Sequence, residues 1–155
     1  MRLDNQPDKL RNLNSEDKSL LFEWRNDSET ILASISKRPV TASEHEIWFY
    51  ELLNSEKNRG FIGTDNSGSP LCFIVFRQSA LDSFEISINV NPNSRGQGIA
   101  TFFLPLAISE FRLNNKSALI ARVLDENTRS KMLFQRLGFR SQPVIKEEFK
   151  IYRLD

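Results

Sequence analysis

The residues of this sequence that could do chemistry are concentrated in one loop, Arg95-Gly96-Gln97-Gly98-Ile99-Ala100. Glycines let a backbone approach a ligand closely, and the first amides of a helix have no acceptor within that helix. Such amides converge on an anion such as pyrophosphate, and Arg95 adds a charged donor. The loop therefore predicts an anion site, with an ordinary strand-to-helix turn as the alternative.

Two common nucleotide-binding motifs do not fit this loop. It lacks the third glycine of the dinucleotide pattern Gly-x-Gly-x-x-Gly, and it lacks the Gly-Lys-Ser/Thr of a P-loop. The predicted anion site is therefore neither a dinucleotide-binding motif nor a P-loop.

A second chemical feature is the strand predicted just before the loop. Apolar and polar residues alternate along 84–90, which predicts one apolar and one polar face. A polar face in the middle of a protein suggests a cleft. Glu85 on that face is our candidate for a catalytic base, and a solvated or salt-bridged strand residue is the alternative.

Composition limits the class of protein. The chain has 155 residues, 39% of them hydrophobic and 12 of them Phe, which is enough for one domain spanning 1–155 and too little for two. The formal net charge of +1 argues against a nucleic-acid partner.

Compartment can also be predicted from the residues. The single cysteine, Cys72, cannot form an internal disulfide, and neither a signal-peptide pattern nor a membrane-spanning apolar run occurs. We therefore expect a soluble cytoplasmic protein without a membrane partner. We predict no metal site, and the sequence leaves the oligomeric state open, a homodimer included.

The elements that position these residues follow from periodicity and caps. Helices are predicted at about 15–26 and 42–54, after the loop at 99–111, and at 127–137, with a short helix within 27–42. Strands are predicted at 10–13, 59–64, 71–77, 84–90, 118–123 and 149–154. A β-meander followed by β-α-β order predicts an α/β (α+β) fold with a mixed sheet.

Two segments carry a resemblance to a known family. Arg95, Gly98 and Ala100 satisfy the cofactor motif Arg/Gln-x-x-Gly-x-Gly/Ala of GNAT acetyltransferases, and Asn127 to Gly138-Phe139 is similar to the second motif of that family. The resemblance implies a GNAT fold, a mixed sheet of about six to seven strands flanked by about four helices. It also implies transfer of acetyl from acetyl-CoA to a small-molecule amine.

The resemblance implies roles for particular residues. The Val90 N–H would polarise the thioester carbonyl, and Asn127 and Ser130 would line the thiol end of the cofactor. The full predicted cofactor-binding set is Ile88, Val90, Arg95, Gly96, Gln97, Gly98, Ile99, Ala100, Thr101, Asn127, Ser130 and Phe134. Phe134 departs from the family pattern, because many relatives have a proton-donating Tyr there and a phenyl ring cannot donate.

The acceptor side is predicted in the first third of the chain. Trp24-Arg25-Asn26 and the segment with His45 and Trp48 resemble patterns of the GNAT branch that acts on nucleotide-linked amino sugars, as in the pseudaminic acid pathway. Arg25 and His45 would bind a diphosphate or sugar, and the tryptophans would stack on a ring or instead belong to the core. A peptide amino-terminal acetyltransferase and a catalytically silent acetyl-CoA-binding domain are the alternatives.

Overall fold

The structure is a computed structural model that describes residues 9–143 and 148–155, so residues 1–8 and 144–147 of the predicted 1–155 domain lie outside it. The strands are β1 (Lys9–Asn12), β2 (Arg59–Thr64), β3 (Pro70–Ala80), β4 (Ser83–Val90), β5 (Ala118–Leu124), β6 (Arg140–Gln142) and β7 (Phe149–Leu154). The helices are α1 (Lys18–Arg25), α2 (Ser28–Ala33), α3 (Ala42–Asn54), α4 (Ile99–Arg112) and α5 (Thr128–Arg136).

Among the described residues the strands form one sheet of seven, in the order β1-β2-β3-β4-β5-β7-β6. All neighbours are antiparallel except β4 and β5, which are parallel. The predicted mixed α/β sheet is thus confirmed. The described residues form five α-helices, which are the four longer predicted ones and the short one predicted within 27–42, whereas β6 was missed because its three polar residues show no alternation.

Capping residues determine where the acceptor-side helices α1 and α3 begin. Thr41 caps α3, since its side chain accepts from the Glu44 N–H at 3.1 Å while the Glu44 carboxylate accepts from the Thr41 N–H at 3.1 Å. Asn14 caps a short 3-10 turn, Ser15–Asp17, that leads into α1, so the predicted helix at 15–26 begins with a tighter first turn.

The sheet separates two cores. Helices α4 and α5 cover one face, where Phe76 stacks on Phe111 with ring centroids 4.3 Å apart. Helices α1 and α3 cover the other face, where Leu21 and Phe49 pack on Ile62 of β2. Of the described helices none is long and apolar enough to cross a bilayer.

Strands β4 and β5 separate soon after they meet. Among the described residues, the register pairs Ser83–Glu85 with Ala118–Ile120 and stops there. Beyond this point β5 continues beside β7, whereas 86–90 of β4 pair with β3 alone. The sheet is therefore open along one edge of β4, directly before the glycine loop.

Candidate functional site

The open edge presents backbone amides of β4. The Asn91 N–H donates to the Leu71 carbonyl at 2.8 Å, and hydrogen-bonded pairs recur at every second residue of an antiparallel ladder. Ile88 and Val90 have the opposite parity, so their amides point away from β3. The carbonyl of Asp82, an even-numbered residue like Ile88 and Val90, accepts a hydrogen bond from the Ala118 N–H of β5. The amides of Ile88 and Val90 therefore face the gap that β5 leaves.

The glycine loop leads from this edge into α4. Asn91 caps a 3-10 turn at Pro92–Ser94, and the chain then passes through Gly96 and Gly98 with φ values of 77° and 74°. Only glycine adopts such angles without strain. A Cβ atom at either glycine would meet no atom within 4 Å, so the space beside both is open.

The first turn of α4 is available to an anion. Gly98 is its N-cap residue and has no side chain, so no side-chain cap occupies the amides of Ile99, Ala100 and Thr101. The Ile99 side chain is buried in the core, which fixes the turn, while Gln97 and Thr101 are exposed. Open space above uncapped amides fits a pyrophosphate group.

Arg95 lies between the loop and α2. Its Nη2 donates to Asp27 Oδ2 at 2.5 Å and to Thr30 Oγ1 at 3.2 Å, and its Nη1 is 3.1 Å from Glu29 Oε2. The hydrogen bond from Arg95, outweighing burial, lowers the pKa of Asp27. Thr30 in turn donates to Asn89 on β4 at 3.2 Å. Arg95 thus ties the predicted cofactor loop to the acceptor-side helices, a connection that the sequence did not reveal.

The predicted residues of α5 follow β5, the strand on the far side of the gap, and α5 contacts that strand. Asn127 caps this helix, its side chain accepting from the Ser130 N–H at 3.2 Å. Phe134 is 4% exposed and packs edge-on against Phe139 with ring centroids 5.1 Å apart. Gly138 follows the helix with φ of 96°, as a C-terminal cap glycine does.

Glu85 lies where β4 and β5 separate. Its carboxylate accepts from Arg122 of β5, with Nε 3.0 Å from Oε2 and Nη2 3.0 Å from Oε1. The Glu85 side chain is 29% exposed and is held in a bidentate ion pair. It also lines a cavity of about 250 Å³, together with Trp48, Arg77, Gln78, Ser79 and Ser87.

Of the predicted substrate residues, Trp48 is the one that lines this cavity. Trp24 is 3% exposed and stacks on Phe73 at 6.0 Å between ring centroids, so stacking on a substrate ring does not fit its burial. The Asn26 side chain donates to the Val40 carbonyl at 2.9 Å and accepts from the Val40 N–H at 2.8 Å. Asn26 thereby fastens the segment before α3.

His45 is buried and Arg25 is half-buried. The Nη2 of Arg25 donates to Ser36 Oγ at 3.3 Å, and burial, reinforced by the charge of Arg38, lowers the pKa of Arg25. His45 is 5% exposed and has the ring of Phe22 at 5.2 Å, and burial lowers its pKa. Neither side chain is presented to the cavity as the amino-sugar pattern suggested.

The structure adds residues that the sequence did not single out. Arg77 faces the cavity because it is the partner of Glu85 across β3 and β4. Lys37, between α2 and α3, is 2.9 Å from Glu126, next to Asn127, so the acceptor-side loop reaches the start of α5. Arg77 and Lys37 could be found only from the strand register and from a contact between two loops, neither of which the sequence shows. In the described part of the chain no cluster of side chains is arranged to hold a metal ion.

Comparison with known proteins agrees with this geometry. A family model described as an acetyltransferase (GNAT) domain matches residues 9–140. The chain belongs to the GNAT acetyltransferases. It is accordingly an acetyl-CoA-dependent N-acetyltransferase, and the open space at Gly96 and Gly98 above the uncapped start of α4 fits that cosubstrate.

Individual relatives are more distant. The L-amino acid N-acyltransferase MnaT of Escherichia coli K12 is 28% identical over 138 residues, 84% of this chain and 78% of that protein. An N-acetyltransferase structure from Staphylococcus aureus Mu50 covers 97% of this chain and 99% of its own, at 24% identity and a TM-score of 0.79. Spermidine N-acetyltransferase from Vibrio cholerae, solved with CoA and spermine, covers 94% and 92% at 17% identity and a TM-score of 0.77. Both structures share the fold of this chain.

Proposed function

We propose that this GNAT enzyme acetylates the primary amine of a small acceptor that binds in the cavity beside Glu85. The observation that carries the proposal is the open edge of β4. It connects the uncapped start of α4, where an anion fits, with a cavity lined by a carboxylate on the acceptor-side face of the sheet. Since both cores share one sheet, we also propose that 1–155 is one domain.

The protein groups have separable tasks in this proposal. Acetyl-CoA supplies an acetyl thioester. The amides of Ile99, Ala100 and Thr101 would hold its pyrophosphate, Arg95 would position the loop through its ion pairs with Asp27 and Glu29, and the Val90 N–H would donate to the thioester carbonyl. Asn127 and Ser130, across the gap, flank the thiol end. Ile88 would form an apolar wall beside the reacting atoms, and the buried Phe134 belongs to the core cluster on which Ile88 packs.

Glu85 accepts the proton that the amine loses, while the new N–C bond forms and the C–S bond breaks. Ile88 lies three residues further along β4, about 10 Å away, so the proton passes through water in the cavity. Because Phe134 has no hydroxyl, the departing sulfur takes its proton from water or from the Ser130 hydroxyl.

The size of the cavity favours a small acceptor. Its volume of about 250 Å³ is below the range of about 300 to 1,000 Å³ that is usual for drug-sized ligands. A relative named an L-amino acid N-acyltransferase supports the same class. A nucleotide-linked amino sugar or a peptide would extend beyond this cavity, and Arg25 and His45, which do not line it, would not contact the acceptor inside it.

A thiol-release assay over a panel of amines tests the proposal. The panel contains amino acids, polyamines, a nucleotide-linked amino sugar and a short peptide, each at saturating acetyl-CoA. Small amines should support release, and Glu85→Gln should lower kcat by about 100-fold or more, whereas Glu51→Gln on the exposed side of α3 should not.

Three results would contradict parts of the proposal. Release with the nucleotide sugar or peptide alone would mean that the acceptor binds outside this cavity. No release with any amine, despite acetyl-CoA binding, would indicate a catalytically silent domain. Equal kcat values for Glu85→Gln and wild type would remove Glu85 as the base.

A further inference from the structure

Arg77 brings an unpaired cation to the acceptor cavity. It lies on β3, its side chain is exposed, and it lines the cavity with Glu85 and Trp48. Within the described ranges, 9–143 and 148–155, its guanidinium makes no hydrogen bond or ion pair. Most other arginines near the sheet have partners, as Arg122 has in Glu85 and Arg153 has in Asp155.

The neighbouring charges do not neutralise Arg77. Glu85 is its partner across the strands, but both oxygens of Glu85 accept from Arg122. Among the described residues Glu85 is thus bound to Arg122 alone, which leaves the charge of Arg77 without a bound counter-charge at the cavity wall. Trp48 of α3 also lines the cavity, so a molecule bound there would displace water from beside Arg77, which strengthens an ionic contact.

A guanidinium of this kind selects a planar anion. Its donors form a rigid fork that matches the two oxygens of a carboxylate. Arg77 lies beside Glu85 across the strands, so its Cα is about 10 Å along the sheet from the position of Ile88, and the long arginine side chain spans much of that distance to a small molecule at the reacting end. Such a molecule has an amine and a carboxylate separated by one or a few bonds.

We infer that the acceptor is a small amine that carries a carboxylate, as amino acids do, and that Arg77 binds this carboxylate. The inference rests on the proposed acetyl transfer in the same cavity. It makes Arg77 the residue that selects the acceptor, whereas Glu85 serves the reaction of any amine that binds.

Matched pairs of acceptors test the inference. L-Phenylalanine and 2-phenylethylamine differ by the carboxylate, as do L-leucine and 3-methylbutylamine. The wild-type enzyme should prefer the amino acid of each pair. Arg77→Gln should lower kcat/KM for the amino acids by about 10- to 100-fold, mainly through KM, because a hydrogen bond to a charged group is lost. The same variant should leave the decarboxylated amines unchanged.

Controls separate this inference from the proposed function. Arg140→Gln, on exposed β6, should behave as wild type with every acceptor. Calorimetric titration of L-phenylalanine into the CoA complex gives a readout without turnover, and Arg77→Gln should weaken that binding by a similar factor. Thiol release without preference for a carboxylate, or an equal loss for both members of each pair, would overturn the role of Arg77 while leaving acetyl transfer intact. Failure of every amine would instead count against the proposed function.

Discussion

The substitution Gly98→Ala tests the anion site of the loop most directly. Gly98 has φ of 74°, and a Cβ there would meet no atom within 4 Å. The new methyl group therefore clashes with nothing in the protein and enters the space that we assign to the pyrophosphate. Its effect on binding should exceed its effect on folding.

The two effects can be estimated separately. An alanine in left-handed backbone costs about 1 kcal/mol of unfolding free energy. Displacing the phosphate from one backbone amide forfeits a hydrogen bond to a charged group, about 2 kcal/mol. Since each 1.4 kcal/mol is tenfold, acetyl-CoA should bind about 30-fold more weakly.

The chain offers a matched control in Gly68, in the turn between β2 and β3. It has φ of 88°, and a Cβ there would also meet no atom within 4 Å. Gly68→Ala should show the same loss of stability by urea denaturation and unchanged CoA affinity by calorimetry. If Gly98→Ala binds CoA as tightly as Gly68→Ala does, the pyrophosphate does not lie at this loop.

The remaining predictions concern acceptor-side residues. Trp24→Ala should lower the free energy of unfolding by about 3 to 5 kcal/mol in denaturant titrations, because a buried indole leaves a cavity. Trp48→Ala should instead raise the acceptor KM with a smaller loss of stability. A larger rise in KM for Trp24→Ala than for Trp48→Ala would mean that Trp24, and not Trp48, contacts the acceptor. The hydrogen bond from Arg38, followed by those from Thr41, lowers the pKa of Glu44 from 4.5 to about 2. Its stabilising contribution is therefore present above pH 4.5 and lost as the pH falls towards 2, so Glu44→Gln should flatten this part of the stability curve, and parallel curves would contradict the pairing.

Much of this protein could be predicted from local sequence. The caps at Thr41 and Gly138, the strand before the glycine loop and the uncapped start of α4 depend on residues close together in the chain. Such features need only dihedral preferences and hydrogen bonds to neighbouring residues. The fold class followed because the order of elements restricts how a sheet can be connected.

The roles of the acceptor-side residues depend on contacts between residues that are far apart in the sequence. The same residue type is core at Trp24 and cavity wall at Trp48, and the periodicity of a helix does not separate the two. The pairing of Glu85 with Arg122 spans 37 positions, and the contact of Arg95 with Asp27 spans 68. Local sequence determined the elements and the anion loop, whereas only tertiary packing decided which charges meet, because an ion pair depends on separation in space and not along the chain.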